Sequence, residues 1–285
     1  MTTPSGQASQ PVRRAALIHQ YDLEHIMPTN TVFSLSGKRG LIMGIANEHS
    51  ITSGCARVAT DLGAHLVVSC ADLAARPFAA PVAAAVQAPL LICDVEHPDD
   101  IAALVDQAVD RLGGLDFVIH SLAWAPTAEL RGRVIDSTST GFLRAMQISC
   151  HSFAALARHC EPHLGRQGGS LLTMSYLGAD EAVPHYGLMG PVKAALESLV
   201  RYLALELGPR GIRVSAISPG PVPTRAASGL RDVETLMQRV RERAPLRRLV
   251  TLAEIGQLAA FLAGDGASAM TGQTIYVDGG YHAVN

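Results

Sequence analysis

Tyr186 and Lys193 stand seven residues apart, and seven steps of 100° return an α-helical side chain to within ~20° of its starting direction. A phenol beside an ammonium can hold a hydrogen bond to a developing oxyanion. The ammonium lowers the local cost of negative charge and can reach sugar hydroxyls. For an isolated pair, a packed tyrosine and a surface lysine at helical spacing is the better reading. A second phenol, Tyr176, lies just upstream in Thr173-Met174-Ser175-Tyr176-Leu177-Gly178. Pro191 lacks an N–H and is tolerated in a first helical turn, so the helix carrying Lys193 is expected to begin near Gly190. Tyr186 then falls just ahead of regular helix, and the shared face is approximate.

A different chemistry is suggested by the stretch from Gly44 through Ser50 and Ile51 to Gly54, which joins a strand-like run to a helical one. Glycine at such a turn lets backbone approach a ligand, and a helix N-terminus presents unpaired N–H groups to a diphosphate. The spacing is not G-x-G-x-x-G, and the loop by itself is equally an ordinary strand–helix turn. Further acceptors follow later strand-like runs: Ala71-Asp72, Asp94-Val95 and Ser121-Leu122-Ala123. Asp94 reads as an acceptor for an adenine amino group or, equally, as a helix-capping or surface aspartate. No Lys or Arg immediately follows Asp72, and a ribose 2′-phosphate needs such a cation, so NADH is favoured over NADPH; Arg76 is the feature that points the other way.

Positioning these residues requires strands that end together. Short apolar runs at 41–43, 65–69, 90–93, 117–120, 170–173, 214–217 and 274–277 alternate with helical patterns at 51–62, 101–112, 141–161, 192–207 and 252–262. Strands apolar on both faces, alternating with helices, imply right-handed crossovers and one doubly wound α/β domain with about seven parallel strands. The segment 71–88 carries Pro77 and Pro81 and is expected to be a broken helix or a loop. Residues 1–34 show no sustained period and read as an accessory arm before a domain at 35–285, with Met27 a candidate true start.

Composition narrows the partners. Of the 285 residues 48% are hydrophobic and 17% charged, with a formal net charge of −2, which fits a globular chain and offers no basic field for nucleic acid. The five scattered cysteines do not form a disulfide framework and are expected to be reduced. No apolar run is long enough to span a membrane and no signal-peptide core follows Arg13 and Arg14, so the expected compartment is the cytoplasm. His159 and His163 have i,i+4 spacing, but Pro162 separates them, and no metal site is expected.

Several ordered segments together resemble the enoyl-acyl-carrier-protein reductases, a divergent branch of the short-chain dehydrogenases with a Rossmann domain. They are Ser36–Arg39, Gly44 through Ile51, Cys93–Val95, His120–Pro126, Ser175–Gly178, Tyr186 through Lys193, and Ser218–Gly229. Ordinary short-chain dehydrogenases place the tyrosine four residues before the lysine, a position held here by Met189. The resemblance implies NADH-dependent reduction of a trans-2-enoyl thioester, with Tyr186, Lys193 and Tyr176 as the catalytic set. It further implies that Gly44, Ser50 and Ile51 line the diphosphate and that Ala71 contacts cofactor through backbone only. Asp94, Val95 and Leu122 then bound the adenosine side. Lys193 with Val222, Pro223, Thr224, Arg225 and Ala226 holds the nicotinamide half, and Ala125 touches substrate.

Acyl carrier protein and a homotetrameric assembly are the implied partners. Trp124 stands where the family more often has phenylalanine, which either alters acyl preference or fills volume. After Gly229 the chain reads Leu230-Arg231-Asp232-Val233-Glu234-Thr235 instead of the basic cluster of some relatives. Arg239, Arg241 and Arg243 either compensate or form a solvated helix face. Two other readings stand beside this one: a short-chain reductase of another carbonyl or enoyl-CoA substrate, and a non-catalytic dinucleotide sensor.

Overall fold

The computed structural model describes residues 1–2, 33–164, 168–225, 227–229 and 231–284. Most of the expected arm, including Met27, and Ala226, expected to contact cofactor, lie outside the described residues.

Seven strands, β1 (Arg39–Met43), β2 (His65–Cys70), β3 (Leu90–Ile92), β4 (Phe117–His120), β5 (Gly169–Met174), β6 (Ile212–Pro219) and β7 (Gln273–Val277), form one parallel sheet in the order β3-β2-β1-β4-β5-β6-β7. The chain winds outward one way from β1 to β3, then crosses back to β4 beside β1, which opens a crevice at the carboxyl ends of those two strands. Alternation along each strand feeds two apolar layers. Leu41, Met43, Val118, Leu171 and Val214 face one layer, whereas Ile42, Val68, Ile119, Leu172 and Ile217 face the other. Each such side chain, fully buried, contributes roughly 1.5–3 kcal/mol. The double burial explains why the strand runs are continuously apolar.

The first layer is closed by α3 (Pro98–Leu112), α6 (Ser152–Cys160) and α7 (Met189–Leu207), the second by α1 (Ile51–Asp61), α2 (Arg76–Ala85) and α9 (Leu252–Ala263). Two shorter helices, α4 (Thr127–Arg131) and α5 (Ser139–Met146), follow β4, and α8 (Val233–Arg243) follows β6. All five cysteines are free and buried. Among the described residues no helix is long and apolar enough to cross a membrane.

Two expectations need correction. The segment 71–88 holds a helix, α2, despite Pro81 inside it. Pro81 lies in the second turn and removes the bond its N–H would have made to the Pro77 carbonyl, and burial of Ala79, Val82 and Ala83 offsets that cost. The helix expected over 141–161 is interrupted: between α5 and α6 the chain makes a π turn, Gln147–His151. A π turn widens the helix locally and re-aims its side chains, and here Ser149 and Cys150 end up buried. The Lys193 helix starts at Met189, close to the expected Gly190, with Pro191 in its first turn.

Candidate active site

The sequence-derived positions converge on the carboxyl edge of the sheet. Gly44 follows β1 with φ +103, a conformation that favours glycine. A Cβ there would meet the Ser121 carbonyl oxygen at 2.5 Å and Leu122 Cδ2 at 2.9 Å, so the β1 and β4 loops can close together only over a glycine. Ser50 is the N-cap of α1: its hydroxyl accepts the Ser53 N–H at 3.3 Å and donates to the Asn47 carbonyl at 2.7 Å. Thr52 donates to the Gly44 carbonyl at 3.1 Å, tying the glycine turn to the helix start. The N–H groups of Ile51 and Thr52, at the very start of α1, have no helical acceptor. The arrangement suits an anion, which both the dipole and the free donors favour.

Ala71 directly follows β2 and is exposed. Beside it the Asp72 carboxylate accepts the Ala75 N–H at 2.6 Å ahead of α2. Asp94 and Val95 follow β3 and are half-buried. Asp94 is turned back on its own loop, with Oδ1 accepting the Glu96 N–H at 3.0 Å and Oδ2 3.3 Å from His97 Nδ1, but it does not cap α3, whose N-cap is His97 with no side-chain cap bond. After β6, Val222 is buried, Pro223 and Arg225 are exposed, and the Thr224 hydroxyl accepts the Ala227 N–H at 3.1 Å. Arg225 reaches over the Phe78 ring on α2, 5.9 Å from its centroid, at the edge of the same groove.

The reactive half lies between β4, β5 and α7. Lys193 is buried, 3% exposed, and donates to the carbonyl of Met174 at 2.7 Å and to that of Leu122 at 3.4 Å. An ammonium has three N–H groups, so one is left for a ligand. Burial pulls the Lys193 ammonium down to about 8, against the opposing pull of the nearby Cys150 and Glu197. The Tyr176 and Tyr186 rings meet at 4.7 Å between centroids with an interplanar angle of 54°. Burial pushes both phenols upward, so each stays protonated and able to donate. The Tyr176 hydroxyl is shielded from solvent with no hydrogen-bond partner. A buried orphan donor at this place calls for a polar ligand atom.

Tyr186 owes its direction to its neighbours. His185 and Gly187 both have positive φ, +63 and +52, so the tyrosine is presented from a doubly turned loop three residues ahead of α7. Gly187 is wedged against α4, where a Cβ would lie 2.6 Å from the Leu130 carbonyl oxygen. On the outer side of Tyr186 a cleft of roughly 830 Å³ opens between the Gly178–His185 loop and Arg131–Asp136. Ala125, half-buried, follows β4 and packs on the first apolar layer.

Three supporting groups were not singled out as site residues from the sequence. Ser175 donates a short 2.5 Å hydrogen bond to Glu197, one turn beyond Lys193, so α7 grips the Met174–Tyr176 segment twice. The i,i+4 spacing of Lys193 and Glu197 was the available clue. His120, fully buried at the end of β4, lies 3.0 Å from Thr173 Oγ1 and 2.8 Å from Ser152 Oγ. Burial drops it to about 3, so it adds no second positive charge beside Lys193. Ser149 on the π turn accepts the Trp124 N–H at 2.8 Å and donates to the Trp124 carbonyl at 3.0 Å.

A doubly wound parallel sheet with a buried lysine, two meeting phenols and a glycine turn at its carboxyl edge defines a reductase of the short-chain dehydrogenase type. The family model described as Enoyl-(Acyl carrier protein) reductase matches residues 44–282, and the chain belongs to that family. It is 42% identical over 249 residues to an enoyl-[acyl-carrier-protein] reductase [NADH] of Rhizobium meliloti, covering 87% of this chain and 92% of the relative. An enoyl-[acyl-carrier-protein] reductase [NADPH] of Staphylococcus aureus is 40% identical over 256 residues, covering 89% of this chain and all of the relative. The crystal structure of the Anaplasma phagocytophilum reductase in complex with NAD superposes with a TM-score of 0.84 at 39% identity, covering 88% of this chain and 96% of that one.

Proposed function

We propose that the chain catalyses NADH-dependent reduction of the trans-2 double bond of enoyl thioesters on acyl carrier protein, in fatty-acid elongation. The observations that carry this reading are the buried Lys193, held on the strand-end carbonyls of Met174 and Leu122, and the ring contact, just past β5, of two protonated phenols, of which Tyr176 has an orphan hydroxyl. NADH supplies the hydride that reaches the β-carbon of the thioester. Tyr186 donates a hydrogen bond to the thioester carbonyl as that oxygen takes on enolate charge. Tyr176 confines the Tyr186 ring and offers its unpartnered hydroxyl to the substrate; a proton delivered to the α-carbon completes the reduction. Lys193 spends its remaining N–H on ribose hydroxyls, and its charge stabilises the anionic transition state.

In this reading Gly44, Ser50 and Ile51 cradle the diphosphate, Ala71 contacts cofactor through backbone, and Asp94, Val95 and Leu122 bound the adenosine. Val222, Pro223, Thr224, Arg225 and Ala226 are assigned to the nicotinamide half, and Ala125 to the acyl chain. The Asp72 carboxylate follows β2, where the adenosine ribose would lie, and it supports NADH because it would repel a 2′-phosphate. Arg239, Arg241 and Arg243 are exposed on α8, and Arg243 donates to the Val284 carbonyl at 3.0 Å, which favours a solvated face over carrier docking. The protein works in the cytoplasm as a homotetramer; exposed Leu143, Tyr202 and Leu205 are apolar side chains that a second copy would cover.

The test follows NADH and NADPH oxidation on a trans-2-enoyl thioester of acyl carrier protein and on the matching β-ketoacyl thioester. Reduction of the enoyl substrate with NADH is expected. Turnover of the ketone alone would refute the assignment, and NADH binding without any turnover would favour a sensor.

A further inference from the structure

Trp124 is the single tryptophan of the chain, and it lies between Leu122, whose carbonyl holds Lys193, and Ala125. Its backbone is clipped at both N–H and C=O to the buried Ser149 hydroxyl. Its indole is covered by the Arg144 guanidinium, whose central carbon is 4.2 Å from the ring centroid. The same guanidinium forks onto Glu96, with Nε donating to Oε1 and Nη2 to Oε2, each at 2.7 Å. The Glu96 N–H in turn donates to Asp94 Oδ1 at 3.0 Å. An unbroken chain of contacts therefore runs from the loop after β3, through α5, to the loop after β4.

An exposed ion pair by itself contributes little to stability. A bidentate fork does something else: it sets the plane of the guanidinium. Stacking on an aromatic face needs that plane to be held, so Glu96 governs how firmly Arg144 sits on Trp124. The two loops it joins are the ones that bound the adenosine and the acyl chain in the function proposed above, and this inference rests on that reading.

We propose that Arg144 is a positioning residue that couples occupancy of the adenosine side to the setting of Trp124 beside the acyl path. Coenzyme binding along Asp94–Glu96 orders Glu96, Glu96 orders the guanidinium, and the guanidinium holds the indole against the loop that carries Ala125. Binding at one loop thereby lowers the cost of ordering the other, which is a coupling free energy between two sites.

The lone tryptophan provides a direct reading. Its emission is followed while NAD+, which does not absorb that emission, is titrated into the parent protein, Arg144→Met and Glu96→Gln, with binding measured in parallel by calorimetry. The emission of the parent is expected to change on saturation, and both variants are expected to bind NAD+ while losing more than half of that change. In steady-state assays each variant should raise KM for the enoyl thioester about fivefold, equivalent to ~1 kcal/mol, with kcat within about twofold. The double variant should do no more than either single one, because all three changes break the same chain. An emission change equal in parent and variants, a parent that binds NAD+ with no emission change, or additive effects on KM would overturn the coupling. A parent that binds no NAD+ by calorimetry would instead overturn the coenzyme reading on which it rests.

Discussion

Replacing Gly178 with alanine adds one methyl group at the point where the two active-site phenols meet. The new Cβ would collide with Tyr186 Cδ1, lie 2.7 Å from Tyr186 Cε1 and lie 3.3 Å from Tyr176 Cδ1. Ordinary carbon–carbon contacts are ~3.5–4.0 Å, so the Tyr186 ring must retreat by about 1 Å. Gly178 is not among the residues of positive φ. Alanine therefore fits its backbone, and the lower freedom of the unfolded chain offsets part of any strain, up to ~1 kcal/mol. Misplacement of a reacting group by ~1 Å costs about a hundredfold in rate. Gly178→Ala should accordingly lower kcat on the enoyl thioester by about that factor while the thermal midpoint moves by only a few degrees. NADH affinity should hold, because Lys193 and its two carbonyl acceptors are not among the nearest contacts of the new methyl. The assay pairs initial rates of NADH oxidation with calorimetric NADH binding. A variant with kcat within twofold of the parent would refute the claim that the placement of Tyr186 over Gly178 controls turnover.

Tyr186→Phe removes the proposed oxyanion donor and should reduce kcat by about 10²–10³-fold with NADH affinity unchanged; unaltered turnover would remove that role. Lys193 loses its ammonium as pH rises through about 8, so calorimetric NADH affinity should be steady below that pH and weaken above it, a dependence that Lys193→Met should abolish. Stability should move the other way. Between about 8 and the ordinary 10.5 the unfolded chain binds more protons than the folded one, so denaturant unfolding should show stability rising with pH across that window. NADPH should bind about tenfold or more weakly than NADH, and Asp72→Ala should narrow the gap; equal affinities in the parent would count against a carboxylate facing the ribose.

The alternation of doubly apolar strands with amphipathic runs was sufficient to read a seven-stranded parallel sheet, because burial on both faces leaves its mark within each strand. The glycine turn at Gly44 and the acceptors after successive strands were legible for the same local reason: a turn and a helix start are written in consecutive residues. The seven-residue spacing made Tyr186 and Lys193 a candidate pair, and the resemblance of the surrounding segments assigned them a role. Helical periodicity, however, could not aim Tyr186, which lies ahead of α7 and takes its direction from left-handed backbone at His185 and Gly187. Helix α2 escaped prediction because the apolar face that offsets Pro81 exists only once β2 and β3 are beneath it. The π turn escaped because it adds no residue type of its own.

Long-range pairing was the least legible feature. Ser175 finds Glu197 across 22 positions, His120 finds Thr173 across 53, and Arg144 finds Glu96 across 48. Nothing in one segment signals the other, since such pairs arise only where sheet register and crossover direction bring separate loops to the same edge. The sequence by itself determined the sheet and the order of the loops at its carboxyl edge, and it nominated the tyrosine and lysine. Tertiary structure alone decided which carbonyls hold Lys193, which glycine separates the phenols and which arginine covers Trp124, because those contacts depend on distances between strand ends and not on the spacing along any one of them.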